Sequence, residues 1–204
     1  MSTLEKGKKL IKYMRSKDYR VLAINIVYLE DVNADTWEPL QGKLDFWDDA
    51  RILVRDNGEV LLSCEATTEP GRYYTKNTRI SEGVFRIAFG QYKDAWQVGD
   101  HKGQLALVQC GIIKGYRDGN KNGIRDKNDY IDAGSDFGIN QHTTSEFDGS
   151  SPDSIGRWSA GCLVGRYSST HYDKFMPVVQ NMGRRTLDTT IIAGDEFADF
   201  CKNN

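Results

Sequence analysis

The sequence predicts a mainly β domain, an antiparallel sheet of short strands folded into a sandwich or barrel, with a short N-terminal helix and one further helix late in the chain. Three observations carry this. Runs rich in β-branched and aliphatic residues recur at short intervals, as RVLAINIVYL (20–29), ARILVRD (50–56), EVLLSCEA (59–66), GVFRIAF (83–89) and LALVQCGIIKGY (105–116). Turn signals separate them, with Asp56-Asn57-Gly58 reading as a hairpin and Glu69-Pro70-Gly71 as a second turn. The helical period is confined to the ends of the chain.

Residues 3–17 place Leu4, Leu10, Ile11 and Met14 near one helical face, so 1–18 reads as a helical extension of a single domain spanning 1–204. The segment 117–158 is rich in Gly, Asp, Asn and Ser and reads as a long polar loop region, a length that in a compact domain points to function. HYDKFMPVVQNM (171–182) suits a helix, with Pro177 arguing against a continuous one. TTIIAGDEFADF (189–200) reads as a closing strand and a short tail.

Composition excludes several classes. The chain has 204 residues, 27 basic and 29 acidic, so a net charge of −2 offers no basic field for nucleic acid. No apolar run approaches the roughly 18 residues of a membrane helix, which excludes insertion by a helical span. The charged opening MSTLEKGKKLIKYMRSKDY lacks an apolar block with a cleavage site, so the expectation is synthesis in the cytoplasm without a signal peptide. Nothing in the pattern sets an oligomeric state. The four cysteines, Cys64, Cys110, Cys162 and Cys201, show no CxxC spacing, which argues for free thiols rather than a zinc finger. Cys64 and Cys110 lie in apolar strand runs and are expected to be buried and inert, and Cys201 to be peripheral.

Cys162 stands apart, in Trp158-Ser159-Ala160-Gly161-Cys162-Leu163-Val164-Gly165. A nucleophilic thiol needs a base, and His142 precedes it by 20 positions after a strand-like alternation Phe137-Gly138-Ile139-Asn140-Gln141. Neighbouring strands could bring imidazole and thiol together, with the N–H groups of Gly161 and Cys162 aimed at an oxyanion. The alternative on residues alone is a structural cysteine. His101 reads as a turn residue or part of a substrate cleft, and His171 as a surface or capping residue. Zinc held by His142, His171 and Cys162 or an Asp is the rival chemistry, although HExxH is absent.

His142, 16 intervening residues and then Ser159-Ala160-Gly161-Cys162 resembles the signature of the L,D-transpeptidase (YkuD-like) catalytic domain, a histidine, a similar spacer and Ser/Thr-His-Gly-Cys. Glu65-Ala66-Thr67-Thr68-Glu69-Pro70-Gly71-Arg72-Tyr73-Tyr74 resembles that family's strand ending in Ser/Thr-x-Thr-Pro-x-Gly. The stretch from about 45 to 180 is also similar to bacteriophage and bacterial proteins that carry "TTxPG", "GINxH" and "SAGC" blocks. Two positions depart. Ala160 replaces the histidine before Gly-Cys, and Val164 replaces the arginine two places after the cysteine, with Arg166 further on.

The resemblance implies a YkuD-like β fold and acyl transfer on the peptide stems of peptidoglycan. Cys162 would be the nucleophile and His142 the general base, oriented by the carbonyl of Thr143, with no cofactor for catalysis. It leaves open cross-linking or hydrolysis, the latter as an L,D-carboxypeptidase or endopeptidase. The missing export signal favours hydrolysis, as in a phage lysis or virion protein acting on the cell wall. The alternative is a degenerate member that binds peptidoglycan or acts structurally in a virion. It also leaves open whether Ser159 aids the thiol or only packs. Candidates to meet substrate are Trp158, Arg157, Arg166, Tyr74 and His101; the alternatives are core or edge packing for the aromatics and solvated surface for the two arginines. Separately, Asp118, Asn120, Asn122, Ile124, Asp126 and Asp129 fit D-x-N-x-N-G with further oxygen donors, a spacing for a structural calcium ion; a solvated turn is the plainer reading.

Overall fold

The structure is a computed structural model that describes residues 1–78, 80–144 and 152–204. Eleven strands form two sheets among the described residues. They are β1 (Ile24–Glu30), β2 (Asp49–Arg55), β3 (Val60–Thr67), β4 (Val84–Ile87), β5 (Gly90–His101), β6 (Gln104–Gln109), β7 (Ile113–Asp118), β8 (Tyr130–Gly134), β9 (Gln141–Thr143), β10 (Leu163–Gly165) and β11 (Leu187–Ala193). Eight close into a barrel in the order β1-β11-β5-β6-β9-β10-β3-β2, while β4, β7 and β8 form a separate three-stranded sheet. The fold is thus mainly β with an eight-stranded barrel and a few short helices, among them α2 (Arg72–Lys76). Two barrel pairings, β1 with β11 and β9 with β10, are parallel, which corrects the expectation of a wholly antiparallel sheet.

The barrel interior is filled by alternate residues of its strands, among them Ile26, Tyr28, Leu53, Trp96, Leu107, Leu163 and Ile191. The outer faces of β1 and β2 are covered too. Val27, Leu29, Ile52 and Val54 pack against Leu10, Ile11 and Met14 of helix α1 (Thr3–Ser16) and Phe197 of helix α5 (Gly194–Asn203). This double burial explains why β1 and β2 read as continuous apolar runs rather than alternating ones. The capping box between Ser2 and Glu5 fixes the start of α1. Leu4, expected on the buried face, is exposed; Gly7 and Tyr13 take that face with Leu10, Ile11 and Met14. No helix among the described residues is long and apolar enough to cross a membrane.

Four expectations change. The longest strand, β5, was not evident because Asp94 adopts φ 54° and the pairing with β11 slips there, which breaks the period of two. The run 105–116 is two strands, β6 and β7, in different sheets, parted at Cys110-Gly111-Ile112. The polar stretch 117–158 holds β8 and β9; its residues 145–151 lie outside the described residues. The tail after β11 is the ten-residue helix α5.

After β10 the chain forms one helical rod in three registers, α3 (Ser168–Thr170), a π turn (His171–Phe175) and α4 (Met176–Gln180). Pro177 has no N–H to donate back, and the wider π turn just before it accommodates that loss. The same widening turns His171 and Phe175 inward, so both are buried, and the rod adds Phe175, Met176 and Val179 to the barrel core.

Helix α1 crosses the β2–β3 hairpin at Gly7. A Cβ there would overlap the carbonyl oxygen of Gly58. In an open helix Gly→Ala gains about 1 kcal/mol; here the overlap forces α1 off the hairpin, a cost of about 1–3 kcal/mol. Gly7→Ala is therefore expected to lower the melting temperature, and a rise on thermal denaturation would show that α1 is not seated on the hairpin.

Candidate active site

Strands β9 and β10 run parallel, with Gln141 opposite Leu163 and His142 opposite Val164. Leu163 joins the barrel core, and Gln141 reaches Thr189 and the Tyr28 hydroxyl inside it. Side chains alternate across a strand, so His142, Val164 and Cys162 share the outer face. The Leu163 N–H donates to Asn140 O at 2.9 Å, which extends the pairing to the cysteine. Imidazole and thiol are thus diagonal neighbours on one face of adjacent strands.

The turn that delivers Cys162 is built by its small residues. Gly161 has φ 123°, and a Cβ on it would stand 2.8 Å from Phe85 O. Ser159 is fully buried; its Oγ accepts from the Gly161 N–H at 3.1 Å and donates to Cys162 O at 2.8 Å. Ser159 therefore clamps the turn. It also corrects one expectation: the Gly161 N–H is already bonded and is not free for an oxyanion. The 67–71 segment meets this turn, since the Gly71 N–H donates to Ser159 O at 3.0 Å and Thr67 pairs with Val164.

His142 Nδ1 lies 2.8 Å from Thr143 O. That contact requires the proton on Nδ1 and leaves Nε2 with a free lone pair, the form a general base needs. Thr143 is itself pinned by its hydroxyl, which donates to Gly165 O at 3.0 Å. His101, at the end of β5, stacks on His142 with ring centroids 4.6 Å apart. Asn140 Nδ2 donates to His101 Nδ1 at 2.7 Å.

The electrostatics are those of a neutral pair. Burial pushes His142 down to about 3, offset in part by the Thr143 carbonyl and reinforced by the neighbouring His101. Burial raises the Cys162 thiol, with the Asn140 backbone and Lys102 acting the other way. The sulfur's hydrogen bond goes to Gly138 O at 3.6 Å, and no thiol–imidazole bond is formed among the described residues.

Beneath this face Arg51 is fully buried in the barrel. Its Nε donates to the Tyr28 hydroxyl at 2.8 Å and an Nη to His142 O at 2.7 Å. The other Nη lies 3.1 Å from His171 Nδ1, and His171 Nε2 lies 3.0 Å from Leu105 O. His171 is therefore a core residue rather than a surface or capping one. Both its nitrogens are used, which removes it as a zinc ligand.

The other expected site residues scatter around this centre. Trp158 packs with Cys162 against Trp47, Ile155 and Val164. Tyr74 lines a cavity of about 280 Å3 together with Ala160 and Lys102. Arg166 is tied to Glu65 at 3.1 Å, and Arg157 sits 3.9 Å over the ring of Tyr73, so neither stands free at the thiol. Cys64 and Cys201 are partly buried, whereas Cys110 is exposed and not the buried thiol expected; all four cysteines are unbridged.

In the 118–129 loop, Asp118 is fully buried and its carboxylate binds Arg86 Nε at 3.2 Å and the Gly123 N–H at 3.0 Å. Asn120 and Asn122 both donate to Asp126 at 2.7 Å, and Asp129 accepts from the Asp126 N–H at 2.9 Å. Ile124 is exposed and lines a different cavity of about 560 Å3 with Asp31 and Arg125. Asp31, Asp48 and Asp49 offer oxygens within 4.8 Å of one another, a grouping that separation along the chain hides. Burial, then Glu30, raises Asp31 to about 7. No family model, curated protein or solved structure matches this chain.

Two buried neutral imidazoles make stability pH-dependent. His142 and His171 are both held near about 3 against an ordinary 6.5. Between those values the unfolded chain binds more protons, so stability falls as pH drops through that window, by about 1.4 kcal/mol per pH unit for each group. Asp31 acts with opposite sign, losing its contribution as pH rises toward about 7. His171→Asn is expected to lower stability at neutral pH yet flatten its decline between about pH 6 and about pH 4. Denaturant titrations with equal slopes for both proteins would contradict a neutral buried His171.

Proposed function

We propose that this chain is a cysteine-dependent acyl-transfer enzyme acting on the peptide stems of peptidoglycan, with hydrolysis as its outcome. The observation that carries the chemistry is the register of β9 and β10, which puts His142 and Cys162 on one outer face, with His142 Nδ1 on the Thr143 carbonyl. The substrate class comes from the resemblance to L,D-transpeptidases of the 65–74 stretch and of His142 with its spacing to the 159–162 block. Convergence of the 67–71 and 159–162 segments supports reading those blocks as one site.

In this reading Cys162 Sγ attacks the carbonyl of an L-centre followed by a D-residue. Its proton passes to His142 Nε2 as the S–C bond forms. The oxyanion is left to the Cys162 N–H, since that of Gly161 is committed to Ser159. Collapse breaks the C–N bond, and the departing amine takes the proton from Nε2. Water then adds to the thioester, giving its proton to His142; the C–S bond breaks and the thiol regains a proton. With thiol and imidazole both neutral at rest, proton transfer accompanies attack instead of preceding it.

A catalytically degenerate peptidoglycan-binding or virion protein is the second reading, and the thiol's bond to Gly138 O favours it. Digestion of muropeptides followed by mass spectrometry decides. Loss of a terminal D-residue or a cut cross-link, abolished by Cys162→Ala and reduced at least about 100-fold by His142→Ala, is expected. Unchanged muropeptides favour the binding reading, and chelator-sensitive cleavage that survives Cys162→Ala would restore a metal mechanism.

For the 118–129 loop we propose no more than a structural calcium ion. The clustered Asp and Asn oxygens support it, and Arg86, already neutralising Asp118, opposes it. Calcium is expected to raise the melting temperature, and Asp126→Asn to abolish that rise. Absence of both heat on titration and thermal shift would leave the loop as a self-bonded turn.

A further inference from the structure

Strands β5 and β6 form a hairpin whose two-residue turn is Lys102-Gly103, with His101 paired to Gln104. Both turn residues have positive φ, 56° and 84°, as a type I′ turn requires. Asp100 Oδ1 accepts from the Gly103 N–H at 2.9 Å and braces the tip. The turn therefore holds Lys102 in a defined place, directly after the histidine that stacks on His142.

That place is the wall of the cavity of about 280 Å3 that includes Ala160, two residues before the nucleophile. The remainder of the wall includes Tyr74, Val84 and Phe85, with Arg117 as the second cation. Arg117 is already neutralised by Asp132 at 2.8 Å and stacks on Phe85 and Phe137. Lys102 is exposed and has no ion-pair partner among the described residues. Among the described residues the cavity thus has an apolar and aromatic wall and one uncompensated cation. Arg166 and Arg157, the cations that sequence placed against substrate, are occupied elsewhere.

We propose that this cavity is the subsite for a substrate residue bearing a free carboxylate, with Lys102 as its counter-ion and specificity determinant. The inference rests on the reading of Cys162 as nucleophile. It narrows the substrate class to peptides whose carboxylate lies close to the scissile carbonyl, as in a stem with an unblocked C-terminus. A charge-assisted bond from ammonium to carboxylate fits a compact cation on a flexible stem, which tolerates varied carboxylate positions.

The test compares two synthetic stem tetrapeptides ending in D-alanine, one with a free carboxylate and one as the C-terminal amide. Calorimetric binding to the Cys162→Ala protein avoids turnover. The free acid is expected to bind roughly 5- to 10-fold more tightly than the amide, with the preference reduced by salt. Lys102→Gln should erase the preference and Lys102→Arg should retain most of it. Equal affinities for acid and amide, a preference that persists in Lys102→Gln, or binding of neither peptide overturns the proposal. Turnover of muropeptides by the unmodified protein reports separately on the catalytic reading. Turnover without carboxylate preference sinks the subsite alone, whereas preference without turnover sinks the chemistry alone.

Discussion

A single buried guanidinium ties the architecture to the site. Arg51 leaves β2 and enters the barrel, where it bonds the Tyr28 hydroxyl of β1, the His142 carbonyl of β9 and His171 of the π turn. It also lies 4.5 Å over the ring of Phe175. No carboxylate neutralises it among the described residues, so its charge is met by neutral acceptors and an aromatic face. A buried cation so placed is costly unless every partner stays in position. That requirement holds the strand carrying His142, the helical rod and the wall behind them in one arrangement. The space for it is made by Gly165, whose Cβ would stand 2.8 Å from an Arg51 Nη.

The outer face inherits its properties from this arrangement. With Arg51 below and His101 stacked alongside, His142 is desolvated, and among the described residues the Thr143 carbonyl is what favours its charged form. The thiol is desolvated in the same way. Burial therefore favours the neutral form of both groups. Lys102 acts electrostatically on this thiol and is delivered by a turn whose geometry is fixed by two positive φ angles.

Much of the scaffold is legible in the sequence, and the exceptions have local causes. The strands β1 to β4 and β11 and helix α1 show as apolar runs and as a 3.6-residue period because burial dictates them. β5 is hidden by the irregularity at Asp94, which puts polar residues out of phase. The π turn is invisible because nothing in HYDKF marks a widened register, although Pro177 signals that some adjustment is needed. At the candidate site, Cys162 and His142 are singled out by one short block and its spacing, and Thr143 by the family resemblance. Arg51, His101's stacking and Lys102 are not, because they approach from β2 and the β5–β6 hairpin, far away in sequence. Arg166 and Arg157 illustrate the reverse. Proximity in sequence to Cys162 suggests substrate contact, and tertiary partners on Glu65 and Tyr73 take both away.

The central claim is that the sulfur at position 162 becomes covalently acylated by a stem peptide. Acid quenching during incubation with muropeptides, then intact-mass measurement and peptide mapping, reads this directly. The account predicts a labile adduct with the mass of the acyl stem on the peptide containing Cys162, absent when that residue is alanine. Peptide bonds cut with no adduct at any time point, or an adduct on exposed Cys110 instead, would contradict it.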